Sequence, residues 1–212
     1  MKTDTPYKTI EDVRKAKQPP KCSATGTGTS GHFIPRLIEE ALAAKFTVVV
    51  GYQGGAEQDL AFERGEVVCR SLSIPTFFAR EPFTTWRKNN LVRILMQTGR
   101  KRDLRMPDVP TIHELMNEFK TPAPTRALVT AILASGDLGR PFITPPGTPA
   151  DRLKILRDAF RKTMADPAFL ANVKARKLEA DPDFGEELEI IAREAVNQPR
   201  DIVERMKKIL SE

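Results

Sequence analysis

A glycine-rich stretch near the beginning of the sequence has the composition of a turn that binds anions. Residues 26–31 read Gly-Thr-Gly-Thr-Ser-Gly, and they join a short strand pattern to a helical pattern. A strand that ends in such a turn leaves backbone N–H groups without partners, and the following helix adds its positive dipole end. The hydroxyls of Thr27, Thr29 and Ser30 are further donors. The stretch therefore predicts a pocket near Gly28 for a carboxylate or a phosphate.

Motifs specific for phosphate match this turn poorly. A Walker motif requires a lysine after the glycines, and none follows. Residues 26–31 do match the dinucleotide pattern GxGxxG, but the next strand pattern, TVVVGYQGG, lacks the terminal acidic residue that binds a ribose. Two alternatives to a carboxylate site stay open. One is an enzyme that binds a nucleotide or phosphate at this turn, and the other is a plain turn that caps the next helix.

Two more predicted strands end in residues that suit the same chemistry. The stretch GYQGGAEQD, residues 51–59, repeats the order of strand, glycine turn and helix, and Arg70 and Ser71 lie at the end of the strand pattern VVCRSLS. Carboxyl ends of parallel strands meet at one edge of a sheet, which places these residues near the first turn. The guanidinium of Arg70 could bind a carboxylate through two hydrogen bonds. The alternative for Arg70 is an ordinary surface residue.

The remaining reactive residues predict no enzyme, metal site or cofactor. The sequence has no GxSxG, CxxC or HExxH motif. We expect His32 to be a surface residue at a helix N-terminus rather than a catalytic base, and we place His113 on a helix face. The two cysteines, Cys22 and Cys69, could form a disulfide in an oxidising compartment, but two small buried thiols are the favoured interpretation.

The elements that must position these residues alternate between strand and helix patterns over the first part of the chain. Such alternation predicts βαβ units and a mostly parallel sheet, so we expect an α/β fold. The predicted strands are residues 21–26, 45–52, 66–73 and 91–99, and residues 140–149 predict an extended crossing strand followed by a proline-stiffened turn. The predicted helices are residues 9–17, 30–44, 56–65, 84–88, 125–139, 166–177, 185–196 and 199–210, with a long one that starts at Thr148 as N-cap and Pro149 as first residue.

Composition restricts the possible partners. The 212 residues are 40% apolar and 29% charged, which is typical of a folded protein. The formal net charge of +6 permits contact with anions, but even the densest basic run, residues 99–105, contains Asp103 and no aromatic residue. We therefore expect no nucleic acid partner. No transmembrane or signal segment is recognisable, and the polar start suggests a cytoplasmic protein if taken literally.

Three segments together resemble one protein family. They are KCSATGTGTSGHFIPRLIEEALAAKFTVVVGYQGGAEQDLAFERGEV, MPDVPTIHEL, and GRPFITPPGTPADRLKILRDAFRKTMADPAFLANVKARKLEADPDFGEEL. They are similar to the extracytoplasmic solute receptors of tripartite tricarboxylate transporters, also called Bug-type receptors. The resemblance runs from about residue 9 to the end of the sequence, and its most specific part is the third segment.

The resemblance implies a fold, a ligand and a site. The fold is a two-lobed periplasmic-binding-protein-like α/β fold of type II, which closes on a small carboxylate and delivers it to membrane transporter subunits from the periplasm. Relatives commonly read GEVDGR where this chain has GEVVCR, so Arg70 keeps its place while Val68 and Cys69 replace an acid and a glycine. The implied ligand-binding residues are Thr25, Gly26, Thr27, Gly28, Thr29 and Ser30 in one turn, Tyr52, Gln53, Gly54 and Gly55 in the next, and Arg70 with Ser71.

From the comparison with the family we expect a truncated form, without a signal peptide and the first half of the first lobe. Residues 1–122 would then form a complete second lobe, and residues 123–212 the mainly helical C-terminal part of the first. Helices of 149–210 would expose apolar faces, which favours homo-oligomers. We therefore expect a truncated carboxylate receptor, with two alternatives: a structural remnant that self-associates or pairs with a chain supplying the missing half, and the nucleotide- or phosphate-binding enzyme.

Overall fold

The structure is a computed structural model that describes residues 1–139, 141–176, 178, 180 and 182–211. The chain forms two compact units. Unit 1 comprises residues 1–133 and 198–212, and unit 2 comprises residues 134–197. The division into lobes at residue 122 stays a prediction.

A small parallel sheet lies in unit 1. Its strands are β1 (Lys21–Ser23), β2 (Thr47–Val49) and β3 (Cys69–Arg70), and their order is β2–β1–β3. Cys22 aligns with Val48 of one neighbour and with Cys69 of the other. Because both pairings are parallel, helices must connect the strands, and the predicted α/β class is confirmed.

Helices make up most of the described chain. Those of unit 1 are α1 (Ile10–Lys15), α2 (Ser30–Leu42), α3 (Gly55–Glu63), α4 (Ile74–Ala79), α5 (Phe83–Lys88), α6 (Ile112–Glu118) and most of α7 (Ala123–Leu138). Unit 2 contains α8 (Ala150–Met164), α9 (Pro167–Ala175) and α10 (Gly185–Val196). The last helix, α11 (Arg200–Ser211), belongs to unit 1. In the part of the chain that the structure describes, no helix is long and apolar enough to cross a membrane.

Side-chain caps fix where several helices begin. Thr9 and Asp12 form a capping box at α1, as Thr111 and Glu114 do at α6, with each side chain bonded to the other residue's backbone N–H. The carboxylate of Asp166 accepts a hydrogen bond of 2.7 Å from the N–H of Phe169 and caps α9. These bonds satisfy amides that the first helical turn leaves open.

Two predicted strands are wrong. Residues 91–99 contain only isolated bridges, between Lys2 and Val92 and between Gln97 and Thr111. Leu95 and Met96, between these bridges, pack against the core without a neighbouring strand to pair with. Residues 141–149 form no strand either, and residue 140, the first of that predicted strand, lies outside the described residues, as does residue 177 at the end of a predicted helix.

One proline lies inside a helix, and the predicted N-cap of another helix needs correction. Pro35 lies inside α2, five residues after Ser30. It is buried in the helix, so packing compensates for the hydrogen bond that its ring removes. At α8 the N-cap is Pro149 and not Thr148, because the hydroxyl of Thr148 donates to the carbonyl of Pro145 at 2.8 Å instead.

The main core of unit 1 lies where α2, α6, α7 and α11 meet. Leu37, Ile112 and Leu128 are fully buried there. Ile202 and Ile209 of α11 belong to the same cluster, at 3% and 9% exposure. The prediction of exposed apolar faces is therefore wrong for α11, because this helix packs on α2 and the rest of the unit 1 core.

A second, aromatic cluster in unit 1 lies beside β3. Phe62 of α3 stacks on Trp86 of α5 with ring centroids 4.7 Å apart, and Phe83 meets Trp86 edge-on at 5.3 Å. The indole N–H of Trp86 donates to the carboxylate of Glu63 at 3.0 Å, so its polar group is satisfied. This cluster holds α3 and α5 together.

Unit 2 exposes much of its apolar surface. Phe142 is 90% exposed and Ile143 86%, and Ile155 and Leu156 on α8 are each more than half exposed. Arg157 and Arg161 of α8 form ion pairs with glutamates of α10, which are weak contacts at this degree of exposure. Exposed apolar faces are thus observed on the helices of this unit, as the sequence predicts.

Candidate anion-binding site

The strand order creates a switch point beside β1. The chain passes from β1 to β2 on one side and then returns across β1 to place β3 on the other side. Ligands of open α/β sheets bind in the crevice at the carboxyl ends of the strands where the order reverses in this way. The residues that follow β1 and β3 are the first glycine turn and the segment from Arg70 onwards.

The first glycine turn has a backbone that its sequence enforces. Gly28 has a φ of +76°, which side chains other than glycine rarely tolerate. A Cβ on Gly31 would lie 3.0 Å from the carbonyl oxygen of Ser23, so the start of α2 packs directly on the end of β1. The hydroxyl of Thr29 donates to the carbonyl of Gly26 at 2.7 Å and braces the loop. The turn is therefore shaped before any ligand arrives.

The amides of this turn are available to a ligand. The backbone N–H groups of residues 25–31 donate no hydrogen bond to any of the described residues. Thr25, Thr27, Gly28 and Ser30 are exposed, and the first turn of the 13-residue helix α2 contains no acidic side chain. The free N–H groups, the positive end of the α2 dipole and access from solvent are therefore found at the same place, as an anion-binding site requires.

The last helix of unit 1 borders this turn. The carbonyl oxygen of Leu210 lies 3.5 Å from the position that a Cβ on Gly28 would occupy. The side chain of Arg205, in the same helix, forms an ion pair with Glu40 of α2. Helix α11 thus forms part of the wall next to Gly28, which the sequence did not indicate.

His32 is buried and not on the surface, contrary to the sequence-based expectation. It is 2% exposed in the first turn of α2, and its Nε2 accepts a hydrogen bond of 3.2 Å from the Nε of Arg36. Its Nδ1 is buried without a partner among the described residues. Since Nε2 accepts, the proton of a neutral imidazole lies on Nδ1.

The second glycine turn suits an anion less well than the first. The N–H of Gln53 already donates to the carboxylate of Glu57 at 2.5 Å, and Glu57 lies in the first turn of α3. This carboxylate compensates the dipole of α3 and repels other anions. Tyr52 packs against the aromatic cluster, and burial raises the pKa of its hydroxyl. Gly54 and Gly55 complete the turn and begin the helix.

Arg70 reaches the second turn from the end of β3. Its Nη1 donates to the carbonyl of Gly55 at 3.2 Å and forms an ion pair with the carboxylate of Asp59. The two side chains are only 10% and 16% exposed. Arg70 is therefore no free surface residue, and Ser71 follows it at a half-buried position.

Cys22 and Cys69 form a disulfide directly before the site, which corrects the expectation of two thiols. The parallel register places them opposite each other with Cα atoms 4.4 Å apart, close enough for a bond. The bond ties the ends of β1 and β3, and with them the first turn and Arg70. Among the described residues, no group of three or more histidine, cysteine or acidic side chains could hold a metal ion.

Two functional candidates were missed by sequence reasoning. Gln58 is buried and accepts a hydrogen bond of 3.2 Å from the hydroxyl of Ser23, and Asp59 pairs with Arg70. The spacing in the sequence could have indicated Asp59. It follows Gly55 by four residues, or about one helical turn, so Asp59 lies on the face of α3 that carries the second glycine turn.

The family follows from a comparison of the whole sequence. A model of the tripartite tricarboxylate transporter family receptor matches residues 1–208. The chain belongs to this family. Receptors of the family bind small carboxylates, are periplasmic and work with transporter subunits, so the family is one of binding proteins and not of enzymes. The resemblance noted in the sequence is confirmed.

Two longer proteins are similar to this chain over nearly its whole length. The receptor is 27% identical over 209 residues to the UPF0065 protein in gbd 5'region of Cupriavidus necator, covering 96% of this chain and 56% of that protein. It also superimposes on R. palustris Rpa4515 with adipate, with a TM-score of 0.55 and 16% identity, over 99% of this chain and 63% of that one. The chain thus spans about three fifths of each relative. The second likeness confirms the fold, which is that of a periplasmic binding protein.

Proposed function

We propose that this receptor binds a small carboxylate at the first glycine turn. The supporting observation is that the backbone amides of residues 25–31, at the N-terminus of α2, have no partner among the described residues, while four of these seven residues are exposed. The hydroxyls of Thr27 and Ser30 supplement them. In this proposal the second turn and Arg70 line the pocket, while Glu57 limits the positive potential there.

A carboxylate is favoured over a phosphate by the number of cations. Arg70 is a cation at the carboxyl edge of the sheet, and Asp59 already neutralises it. A phosphate at neutral pH concentrates about two negative charges on one group, which needs more compensation at that point than amides alone supply, whereas each carboxylate group of adipate carries a single charge. The adipate named with the R. palustris protein is accordingly a suitable first probe.

Calorimetry with adipate, citrate and inorganic phosphate would test this proposal. We expect heat of binding with a carboxylate at millimolar concentration or below, and loss of that heat in Ser30→Glu, which places a negative charge among the amides. Gln18→Glu is the matched control, since it adds the same charge to an exposed residue before the other end of β1. Binding of phosphate but no carboxylate, or a Ser30→Glu variant that binds as well as the wild type, would refute the proposal.

We propose further that the receptor works in the periplasm and passes its ligand to membrane subunits of the transporter. The disulfide between Cys22 and Cys69 supports this location, because such bonds persist in oxidising compartments. Thiol alkylation of the protein from a periplasmic extract should find no free cysteine. Two reactive thiols in protein from cells that export it would contradict the assignment.

A second candidate function is pairing with another polypeptide through unit 2. The exposed side chains of Phe142, Ile143, Ile155 and Leu156 support it, because apolar surface of this kind is unfavourable in water. Sedimentation of the purified chain is the test. A concentration-dependent rise in mass would favour pairing with a second copy, whereas a stable monomer at high concentration would argue against self-association.

A further inference from the structure

The pairing of Asp59 with Arg70 suggests how the site selects its ligands. Arg70 lies at the switch point, where a ligand carboxylate would meet a guanidinium. The carboxylate of Asp59 occupies its Nη1 instead, and the same Nη1 also donates to the carbonyl of Gly55. The carboxylate of Asp59 therefore occupies the hydrogen-bonding position on Arg70 that a ligand carboxylate could otherwise use.

The ion pair between Asp59 and Arg70 lies in a largely buried environment. The Cζ of Arg70 lies 5.6 Å from the centre of the Phe83 ring, and its Nε is buried without a partner among the described residues. Burial raises the pKa of Asp59 and lowers that of Arg70, although each group opposes the shift of the other. A partly desolvated pair of this kind is costly to break by removing one partner only.

The other groups near the pair do not replace Asp59. The carboxylate of Glu63, on the same helix, accepts the indole N–H of Trp86, and that of Glu57 accepts the N–H of Gln53. The guanidinium of Arg70 is therefore neutralised by Asp59, and the potential that reaches a ligand comes chiefly from the amides of the first turn.

We propose that Asp59 is a specificity-determining residue, which withholds the guanidinium of Arg70 from ligands and leaves their recognition to backbone amides and hydroxyls. This inference rests on the proposed carboxylate site. It predicts that the wild-type site discriminates weakly between carboxylates of different charge, because the guanidinium of Arg70 is not available to pair with an additional charge on the ligand.

The experiment is a double-mutant cycle read by calorimetry with adipate. Asp59→Asn keeps the shape of the side chain but releases the cation, and we expect it to raise the affinity for adipate about tenfold. The double variant Asp59→Asn/Arg70→Gln should return to the wild-type affinity within about twofold. Glu66→Gln, which removes an exposed negative charge after α3, is the control and should change the affinity by less than about twofold.

Each outcome separates the inference from the proposed function. If the wild type binds adipate but Asp59→Asn binds no more tightly, the selectivity role of Asp59 is wrong and the carboxylate site stands. If Asp59→Asn does not fold, the double variant decides, because a large loss of affinity in it would mean that Arg70 already binds the ligand. If neither the wild type nor any variant binds a carboxylate, the proposed function fails and this inference with it.

Discussion

Breaking the disulfide between Cys22 and Cys69 should destabilise unit 1 severely. The bond closes a loop with a sequence separation of 47 residues. In the chain-entropy description a closed loop of this length stabilises the folded state by about 4 kcal/mol, because it restricts the unfolded chain. Whole domains are stable by only about 5–15 kcal/mol, so the loss would be a large fraction of the total.

Urea unfolding followed by fluorescence is the assay. The chain has a single tryptophan, Trp86, which is buried in the aromatic cluster of unit 1 and reports this unit alone. With a denaturant dependence of about 2 kcal/mol/M, reduction should lower the unfolding midpoint by about 2 M. The double variant Cys22→Ala/Cys69→Ala should behave like the reduced wild type, and reductant should not change it further.

The result that would refute this reasoning is a common midpoint for oxidised and reduced protein. It would mean that residual structure in the unfolded chain already keeps the two cysteines close, or that the bond does not form. Mass spectrometry of the alkylated protein distinguishes these two cases. A loss confined to the alanine variant would instead assign the effect to packing of the sulfur atoms.

Three further changes should have distinct effects. Hydrogen bonding to Arg102 holds the pKa of Glu114 at about 2, below its usual 4.5, so its contribution to stability is present above pH 4.5 and lost as the pH falls towards 2. The melting temperature of Glu114→Gln should therefore fall less than that of the wild type between pH 5 and pH 3. Ile202→Ala should lower the free energy of unfolding, measured in urea, by about 3 kcal/mol, because Ile202 is buried in the unit 1 core. An unchanged unfolding midpoint would show that α11 does not pack on that core. Gly31→Ala should lower the free energy of unfolding by about 1 kcal/mol, because its Cβ would press on the backbone of Ser23 and Ala24. Gly26→Ala is the control and should leave the stability unchanged, since there is open space around Gly26. Equal unfolding midpoints for the two variants would show that α2 does not approach β1 closely at Gly31.

Local patterns predicted much of the fold. The glycine turn and α2 are visible in the sequence because turn residues and apolar periodicity act over short distances. The strand predicted at 91–99 fails for the opposite reason, since an apolar run becomes a strand only where a neighbour offers hydrogen bonds. Val92 and Gln97 find only single bridges. Pairing of this kind is decided by the tertiary structure.

The candidate site was predictable in outline but not in its electrostatics. Glycines and hydroxyl side chains indicated the first turn, and strand ends indicated Arg70. The partner of Arg70 could not be inferred, because Asp59 lies in a helix eleven residues earlier and meets it only once α3 packs beside β3. Burial of His32 and the approach of Leu210 to Gly28 likewise depend on packing between distant segments.

The return of α11 to unit 1 has a consequence for how the chain behaves when it is cut. The chain leaves unit 1 within α7 and returns to it just before α11, with residues 134–197 between these points. A protease that cleaves within residues 134–197 therefore cuts the polypeptide but leaves α11 packed on unit 1. The buried hydrophobic contacts of Ile202 and Ile209 with the unit 1 core should keep the two fragments together until denaturant is added. Nicked protein would then still present an intact wall beside Gly28.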